Sequence, residues 1–246
     1  MSTRARLDTV LVEQGLFASR EQAQRAVMAG AVRLGDRVLN KSSLLVEHGA
    51  ALIVAAPPKF VGRGGLKLEG ALEFFRINAL DMIALDIGAS TGGFTDCLLQ
   101  RGAIKVYAID VGHGQIAWKI RNDPRVVVRE NLNARYLSRI DIPEPIDLCV
   151  IDVSFISLIL ILPNAFDLIT PTGVILALIK PQFELKPQDV GRGGLVSDPA
   201  LHEKAQRKIQ DFINLKGHVV VGVVPSPITG ADGNQEFFVC ARKQSA

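Results

Sequence analysis

The sequence predicts an α/β protein in two parts: a doubly wound sheet with helices on both faces, preceded by a small α+β unit. Three observations support this prediction. From residue 63 onward, apolar runs of strand length alternate with amphipathic helical segments. The earlier region instead contains short helices and strands, and Ala55-Ala56-Pro57-Pro58-Lys59 forms a semi-rigid spacer between the two patterns. The hydrophobic content of 48% is ample for a packed core. We therefore predict a first domain at 1–56, a linker at 57–62 and a second domain at 63–246.

The first domain is predicted to begin with two short helices, at residues 4–13 and 19–29. The second helix starts with Ser19 and has Gln22 three residues later, which is the spacing of a capping box, and Gly30 ends it. Short strands separated by turns follow, at Ala31–Leu34, Arg37–Leu39 and Ala51–Ala55.

The positive charge is concentrated in this first domain. Residues 1–60 carry eight Lys/Arg and five Asp/Glu, whereas the remainder carries twenty of each, so the whole net charge of +3 lies in the first quarter. This asymmetry indicates a polyanion-binding appendage on a neutral body, although an ordinary solvated surface would carry a similar charge.

A sequence resemblance indicates that the expected polyanion is RNA. The run R-L-D-T-V-L-V-E-Q-G-L-F-A-S-R-E-Q-A-Q-R-A-V-M-A-G-A-V-R-L-G-D-R-V resembles the small RNA-binding module first known from the fourth small-subunit ribosomal protein, the S4-type domain. The resemblance covers residues 4–54 and implies recognition of structured RNA by shape and phosphate contacts. The predicted RNA-binding residues are Arg4, Arg6, Arg20, Arg25, Arg33, Arg37 and Lys41.

The second domain is predicted to alternate helices and strands in a regular order. The predicted helices are Leu66–Phe75, Gly93–Arg101, the region near Gln115–Ile120, Leu158–Asp167 and Pro199–Leu215. The predicted strands are Met82–Ile87, Lys105–Ile109, Val126–Val128, Asp147–Ile151, Val174–Ile179, His218–Val224 and Glu236–Cys240. The last two strands are predicted to form a terminal antiparallel hairpin.

The chain start and the cysteines indicate a cytoplasmic protein. Charges occur where a signal peptide needs its apolar region, and the apolar stretch Phe155–Leu162 is closed by Pro163, far short of the roughly 20 residues of a membrane helix. The three cysteines are widely spaced and odd in number, so we predict reduced core thiols rather than disulfides or a metal site.

A glycine-rich loop, D-I-G-A-S-T-G-G-F at residues 86–94, follows the first strand of the second domain. It lacks the G-x-G-x-x-G fingerprint of dinucleotide sites and the G-K-[ST] of a P-loop. It resembles the S-adenosylmethionine loop of Rossmann-like methyltransferases. An acid at the next strand tip, Asp110, can accept hydrogen bonds from ribose hydroxyls, while Asn131 could reach the adenine or serve only as a turn residue. The predicted cofactor-binding residues are Asp86, Gly88, Ala89, Ser90, Gly92, Gly93, Phe94, Asp110 and Asn131.

Polar residues also end two later buried strands. Asp152 follows the fourth strand and Lys180 the fifth, so both are expected in the crevice outside the carboxyl ends, where open α/β sheets bind substrates. Burial beside an apolar wall lowers the pKa of a lysine, which suits a general base. Each of these residues also has a structural alternative: Lys180 could extend to water, and Asp152 could cap a helix. Glu236, the first residue of the final predicted strand, could likewise pair with a surface lysine.

The order of motifs identifies a second resemblance that covers essentially the whole chain. The segments R-G-G-L-K-L-E, L-D-I-G-A-S-T-G-G-F-T-D, V-I-D-V-S-F-I-S-L, L-I-K-P-Q-F-E and N-Q-E-F-F closely resemble the hemolysin-A/TlyA family of ribosomal RNA methyltransferases. The resemblance implies S-adenosylmethionine as cofactor, ribosomal RNA in ribosomal subunits as partner, no membrane or metal, and 2′-O-methylation, with cytidine as the target. It also implies a catalytic tetrad, which carries over onto Lys67, Asp152, Lys180 and Glu236.

Two functions of other classes remain as alternatives. A cytolysin would need a membrane-length apolar helix or long amphipathic hairpins, and the sequence shows neither. A non-catalytic RNA-binding protein is disfavoured because no member of the tetrad is missing.

Overall fold

The computed structural model describes residues 4–28, 30–55 and 58–244. The chain divides into two compact units, Met1–Lys59 and Phe60–Ala246, and each is described by itself. Ala29 of the predicted second helix, Ala56 at the end of the predicted first domain and Pro57 of the predicted linker lie outside the described residues.

Within its described residues, the first unit contains two helices and two small antiparallel sheets, β1 with β4 and β3-β2-β5. Its elements are β1 Arg4–Arg6, α1 Leu7–Glu13, α2 Arg20–Met28, β2 Val32–Leu34, β3 Arg37–Val38, β4 Leu45–Glu47 and β5 Leu52–Val54. The predicted helix start at residue 4 is wrong, because Arg4–Arg6 pairs with Leu45–Glu47 from far along the chain. The predicted cap is present, since Ser19 Oγ accepts from Gln22 N at 3.3 Å.

The second unit is built on a seven-stranded sheet with the order β11-β12-β10-β9-β6-β7-β8. Its strands are β6 Ile83–Ile87, β7 Lys105–Ile109, β8 Val126–Arg129, β9 Ile146–Ile151, β10 Ile169–Ile179, β11 His218–Pro225 and β12 Phe237–Lys243. Its helices are α3 Gly64–Phe74, α4 Gly93–Gln100, α5 Trp118–Arg121, α6 Leu162–Leu168, α7 Pro181–Glu184 and α8 Pro199–Leu215.

The predicted doubly wound sheet is confirmed. Strands β8, β7, β6, β9 and β10 run parallel, and β12 is antiparallel to both β10 and β11, which forms the predicted terminal hairpin. Helices α6 and α8 pack on one face and α3 and α4 on the other, each over its own hydrophobic cluster. The strand order reverses between β6 and β9, and ligands of open α/β sheets bind beside such a point.

Two element boundaries differ from the prediction for local reasons. The helix predicted at Leu158–Asp167 opens as a 3₁₀ turn at Leu158–Leu160, and α6 begins only at Leu162, with Pro163 in its first turn. Strand β10 begins at Ile169 rather than Val174, because Ile169 already pairs with Ile146 of β9; the register shifts between Ile169 and Val174, across a segment that contains Pro171 and Gly173.

The three cysteines are buried free thiols, as predicted. Of the helices within the described ranges, none combines the length and apolar character of a membrane span.

Candidate active site

The glycine-rich loop joins β6 to α4 at the carboxyl edge of the sheet. Gly88 has φ +87°, and a Cβ atom at this position would lie 2.2 Å from the backbone oxygen of Asp152. The amides of Gly88 and Ala89 donate to Ile109 O at 2.8 and 3.0 Å, which ties the loop to β7. Only glycine fits here, so the loop lies directly against the end of β9.

The carboxylate of Asp110 braces the same loop from the tip of β7. Its Oδ2 accepts from Ser90 N and its Oδ1 from Gly112 N, both at 2.7 Å. Asp110 therefore presents a fixed acceptor on the wall of a cleft of about 460 Å³, which also includes Gly88, Asn133 and Phe155. This volume lies within the range typical of small-molecule sites.

The cleft fits a nucleoside cofactor without a pyrophosphate. The backbone of Gly88 forms part of its wall, and its fixed acid at the second strand tip suits two ribose hydroxyls. Six predicted cofactor-binding residues line this cleft or an adjoining pocket of about 180 Å³. They are Gly88, Ala89, Ser90, Gly93, Phe94 and Asp110.

The other three predicted cofactor-binding residues do not line these spaces. Asp86 is fully buried beneath the loop, where its Oδ2 accepts from Thr95 Oγ1 at 2.6 Å. Gly92 is buried at the start of α4 with φ +93°. Asn131 is exposed with φ +56°, and Asn133 lines the cleft in its place.

Burial changes the titration of Asp86. Its pKa is raised to about 7, chiefly by desolvation; the hydrogen bond from Thr95 opposes this shift, and the nearby charges of Asp152 and Asp110 add to it. The Oδ1 atom of Asp86 is buried and accepts no hydrogen bond from the described residues. The folded protein therefore holds a proton on Asp86 that the unfolded chain releases near pH 4.

This proton makes stability depend on pH. The contribution of protonated Asp86 is fully present below about pH 4 and is lost as pH rises through 7, so the free energy of unfolding falls over that interval. We expect Asp86→Asn to flatten this dependence, because an amide occupies the same space without ionising. Urea unfolding between about pH 5 and about pH 8 measures the effect. Parallel curves for variant and wild type would contradict it.

Two ion pairs bring the predicted tetrad together. Lys180, at the end of β10, lies with Nζ 2.6 Å from Asp152 Oδ1, and it also donates to Ser154 Oγ at 2.9 Å. Lys67, on α3, donates to Glu236 Oε2 at 2.5 Å. Glu236 is only 2% exposed, so it is not the surface ion-pair partner considered as an alternative. Burial raises the pKa of Glu236, whereas Lys67 and Lys180 lower it.

The tetrad lies between two spaces. Asp152 lines the cofactor cleft, whereas Lys180 and Glu236 line a further cavity of about 480 Å³, and Lys67 borders both the cavity and the small pocket. Together, the four side chains therefore border both spaces.

The segment before α3 packs against the glycine-rich loop and α4. The amide of Val61 donates to the buried carboxylate of Asp96 at 2.9 Å, and a Cβ on Gly62 would lie 2.5 Å from Thr91 Oγ1. Phe60 is buried and covers Gly65. Residues 60–62 thus pack within the second unit, although the sequence places them in the linker.

Comparison with known proteins matches both parts of the chain to described families. Residues 60–243 match the FtsJ-like methyltransferase family, and residues 5–52 match the S4 domain. The chain belongs to the FtsJ-like methyltransferase family.

The relatives of this methyltransferase carry two kinds of name. A Mycobacterium tuberculosis protein named 16S/23S rRNA (cytidine-2′-O)-methyltransferase TlyA is 44% identical over all of this chain and 92% of its own length. A Brachyspira hyodysenteriae protein named Hemolysin A is 41% identical over 95% of this chain and 98% of its own. The solved structure of a candidate hemolysin from Streptococcus thermophilus superposes with a TM-score of 0.76, at 42% identity, over 100% of this chain and 90% of that one.

Two aromatic residues at the methyltransferase site were not predicted from the sequence. Phe155 is 90% exposed with φ +63°, and its ring centroid lies 5.0 Å from that of Phe183. Phe155 borders both the cleft and the cavity. An exposed aromatic ring in this position suits stacking of an unpaired base. For Phe155, the signal available in the sequence was its position as a bulky apolar residue three places after Asp152, the acid that follows a buried strand.

The predicted RNA-binding residues of the methyltransferase's first unit are all exposed, but they differ in their partners. Arg6 and Arg20 both bind the carboxylate of Asp8, whose side chain is 0% exposed, with N–O distances of 3.0 Å. The hydrogen bond from Arg6 holds the pKa of Asp8 well below its usual range. The five others make no ion pair within the described residues: Arg4, Arg25, Arg33, Arg37 and Lys41.

Proposed function

We propose that this chain transfers a methyl group from S-adenosylmethionine to the ribose 2′-hydroxyl of a cytidine in ribosomal RNA. The observation that carries the proposal is the pair of ion pairs, Lys180–Asp152 and Lys67–Glu236, between the cofactor cleft and the second cavity. The family membership and the relative named as an rRNA (cytidine-2′-O)-methyltransferase support the same reaction.

The cofactor would be held by the loop at residues 88–93 and by Asp110. When bound, S-adenosylmethionine supplies an electrophilic methyl group on a sulfonium and leaves as a thioether. The loop would contact it through backbone groups, because Gly88 admits no side chain. The fixed acceptor of Asp110 would select an unphosphorylated ribose.

Lys180 is proposed as the general base. Once its ammonium has released a proton to solvent, the neutral Nζ would accept the proton of the 2′-hydroxyl as that oxygen takes up the methyl group. The ion pair with Asp152 and the hydrogen bond to Ser154 fix the position of Nζ. The positioning of both reactants by these contacts supplies much of the rate.

Lys67 and Glu236 are proposed to hold the acceptor. The buried carboxylate of Glu236 orients the Lys67 ammonium, and that ammonium can donate to the 2′ oxygen as negative charge develops on it. A lysine held in this way does not need to lose its proton. The two lysines would therefore perform different tasks.

Labelled methyl transfer to isolated ribosomal subunits tests the proposal. We expect wild-type protein to label RNA in a small or large subunit. Asp152→Asn weakens the ion pair that positions Lys180, so this variant should label the RNA at least about 100-fold more slowly. Label in protein only, or none in either subunit, would contradict the proposed substrate. Such a substrate would place the protein in the cytoplasm, where ribosomes are assembled.

Basic residues of the first unit should set RNA affinity without affecting chemistry. We expect Arg33→Ala and Arg37→Ala to weaken RNA binding and to lower the salt slope by about 1 each, because each loses a phosphate contact. Arg20→Ala should in addition lower the melting temperature, because it removes one of the two arginines that pair with the buried carboxylate of Asp8. Filter binding at several salt concentrations measures the slope. A slope unchanged in Arg33→Ala and Arg37→Ala would rule out these contacts.

A further inference from the structure

The cavity beside Lys180 has three kinds of wall. One wall is formed by members of the tetrad, the second by the paired rings of Phe155 and Phe183, and the third includes two polar side chains, Gln182 and Asp232. The proposed reaction accounts for the first wall, and stacking of a base accounts for the second. Neither the reaction nor base stacking gives a role to Gln182 and Asp232.

Gln182 carries an unused hydrogen-bond acceptor. Its Nε2 donates to Asp232 Oδ2 at 3.2 Å, which fixes the amide orientation, since a flipped amide would place two oxygens together. Its Oε1 is buried and accepts no hydrogen bond from the described residues. Leaving a buried amide oxygen unpaired is unfavourable, so a donor that enters the cavity and meets Oε1 after a small rotation of the side chain would relieve this cost.

Asp232 carries a second unused acceptor. Its Oδ2 accepts from Gln182 and from Asn234, whose side chain is fully buried and is itself anchored on Gly194 O and Val196 N. Its Oδ1 makes no hydrogen bond within residues 58–244. The carboxylate is therefore oriented through one oxygen, and the other is available.

The position of these acceptors fits the base of the proposed substrate. Gln182 lies two residues beyond Lys180, so a ribose with its 2′-hydroxyl at Lys180 places its base in the same cavity. Cytosine carries an exocyclic amino group with two hydrogens, whereas uracil has a carbonyl oxygen there. Two unpaired acceptors match the amino group, and a carboxylate repels the carbonyl oxygen.

We infer that Gln182 and Asp232 together read the exocyclic amino group of the target base and so select cytidine over uridine. This inference rests on the proposed 2′-O-methylation. The two side chains act on specificity, and the tetrad acts on the chemical step.

The test compares two RNA substrates. They are a ribosomal transcript in which the modified cytidine has been mapped and the same transcript with uridine at that position. We expect wild-type protein to prefer the cytidine substrate in kcat/KM by about 5- to 150-fold. Asp232→Asn should reduce this ratio to near one, because its amide can donate to the uracil carbonyl. Asp211→Asn, an exposed position on α8, is the matched control and should keep the wild-type ratio.

A second variant keeps the inference falsifiable if Asp232→Asn fails to fold. Gln182→Met has similar length but lacks the acceptor, and we expect it to lower the ratio as well. A merely structural role of the pair would lower both kcat/KM values together and leave their ratio unchanged. That outcome, or equal 2′-O-methylation of both transcripts by wild type, would overturn the base-reading role alone. Absence of 2′-O-methylation on both transcripts would instead overturn the proposed function.

Discussion

Lys180→Ala is expected to abolish methylation while cofactor binding stays intact. Loss of a general base reduces the rate by about 100- to 10,000-fold. Lys180 lines the cavity but not the cofactor cleft, so calorimetry should give an unchanged affinity for S-adenosylmethionine. The loss should therefore appear in kcat rather than in cofactor affinity.

Lys180→Arg separates a basic role from simple attraction. Arginine keeps the positive charge beside Asp152 but cannot be deprotonated in a protein, so this variant should fail as well. Lys216→Ala, at an exposed lysine just after α8, is the control and should methylate normally. Turnover close to wild type in Lys180→Arg would exclude Lys180 as the base.

Gly88→Ala is expected to disable both binding and chemistry. The added Cβ would lie 2.2 Å from Asp152 O and 2.8 Å from its carbonyl carbon, so backbone must move at both strand ends. This displacement reaches the partner of Lys180 and the cofactor cradle together. We expect kcat/KM to fall at least about 100-fold, and stability to fall by about 2–4 kcal/mol from strain and overpacking.

Gly217→Ala is the matched control for this substitution. Gly217 has φ +76°, close to that of Gly88, but no atom lies within 4 Å of its Cβ position. It precedes β11 at the sheet edge opposite the site, as the pairing of His218 with Lys243 shows. It should therefore lose about 1–2 kcal/mol of stability from backbone strain and keep its activity. An equal loss of activity in both variants would mean that strain, and not the contact with Asp152, matters.

The central sheet and half of the tetrad were predictable because their signals are local. Asp152 and Lys180 each end an apolar run, and parallel neighbouring strands place such ends side by side. The partnership of Lys67 with Glu236 spans 169 residues, and no periodicity encodes it. Only the family resemblance predicted that these two residues belong to the site.

Other features depend on backbone geometry that composition does not reveal. Asn131 and Asn133 are equivalent in the sequence as polar turn residues, but a positive φ at Asn131 leaves its side chain outside the cleft lining. Gln182 and Asp232 lie 50 residues apart and meet only because α7 and the segment before β12 border one cavity. Strand β1 was missed for the same reason, since its partner β4 lies about 40 residues away.

The position of the transferred methyl group tests the proposed chemistry most directly. A ribose bearing a 2′-O-methyl group cannot assist cleavage of the adjacent phosphodiester, so the modified linkage survives alkaline hydrolysis. After reaction with labelled S-adenosylmethionine and complete alkaline digestion of the ribosomal RNA, the label should be recovered in alkali-resistant dinucleotides. Recovery of the label in mononucleotides would place the methyl group on a base and contradict the role proposed for the tetrad.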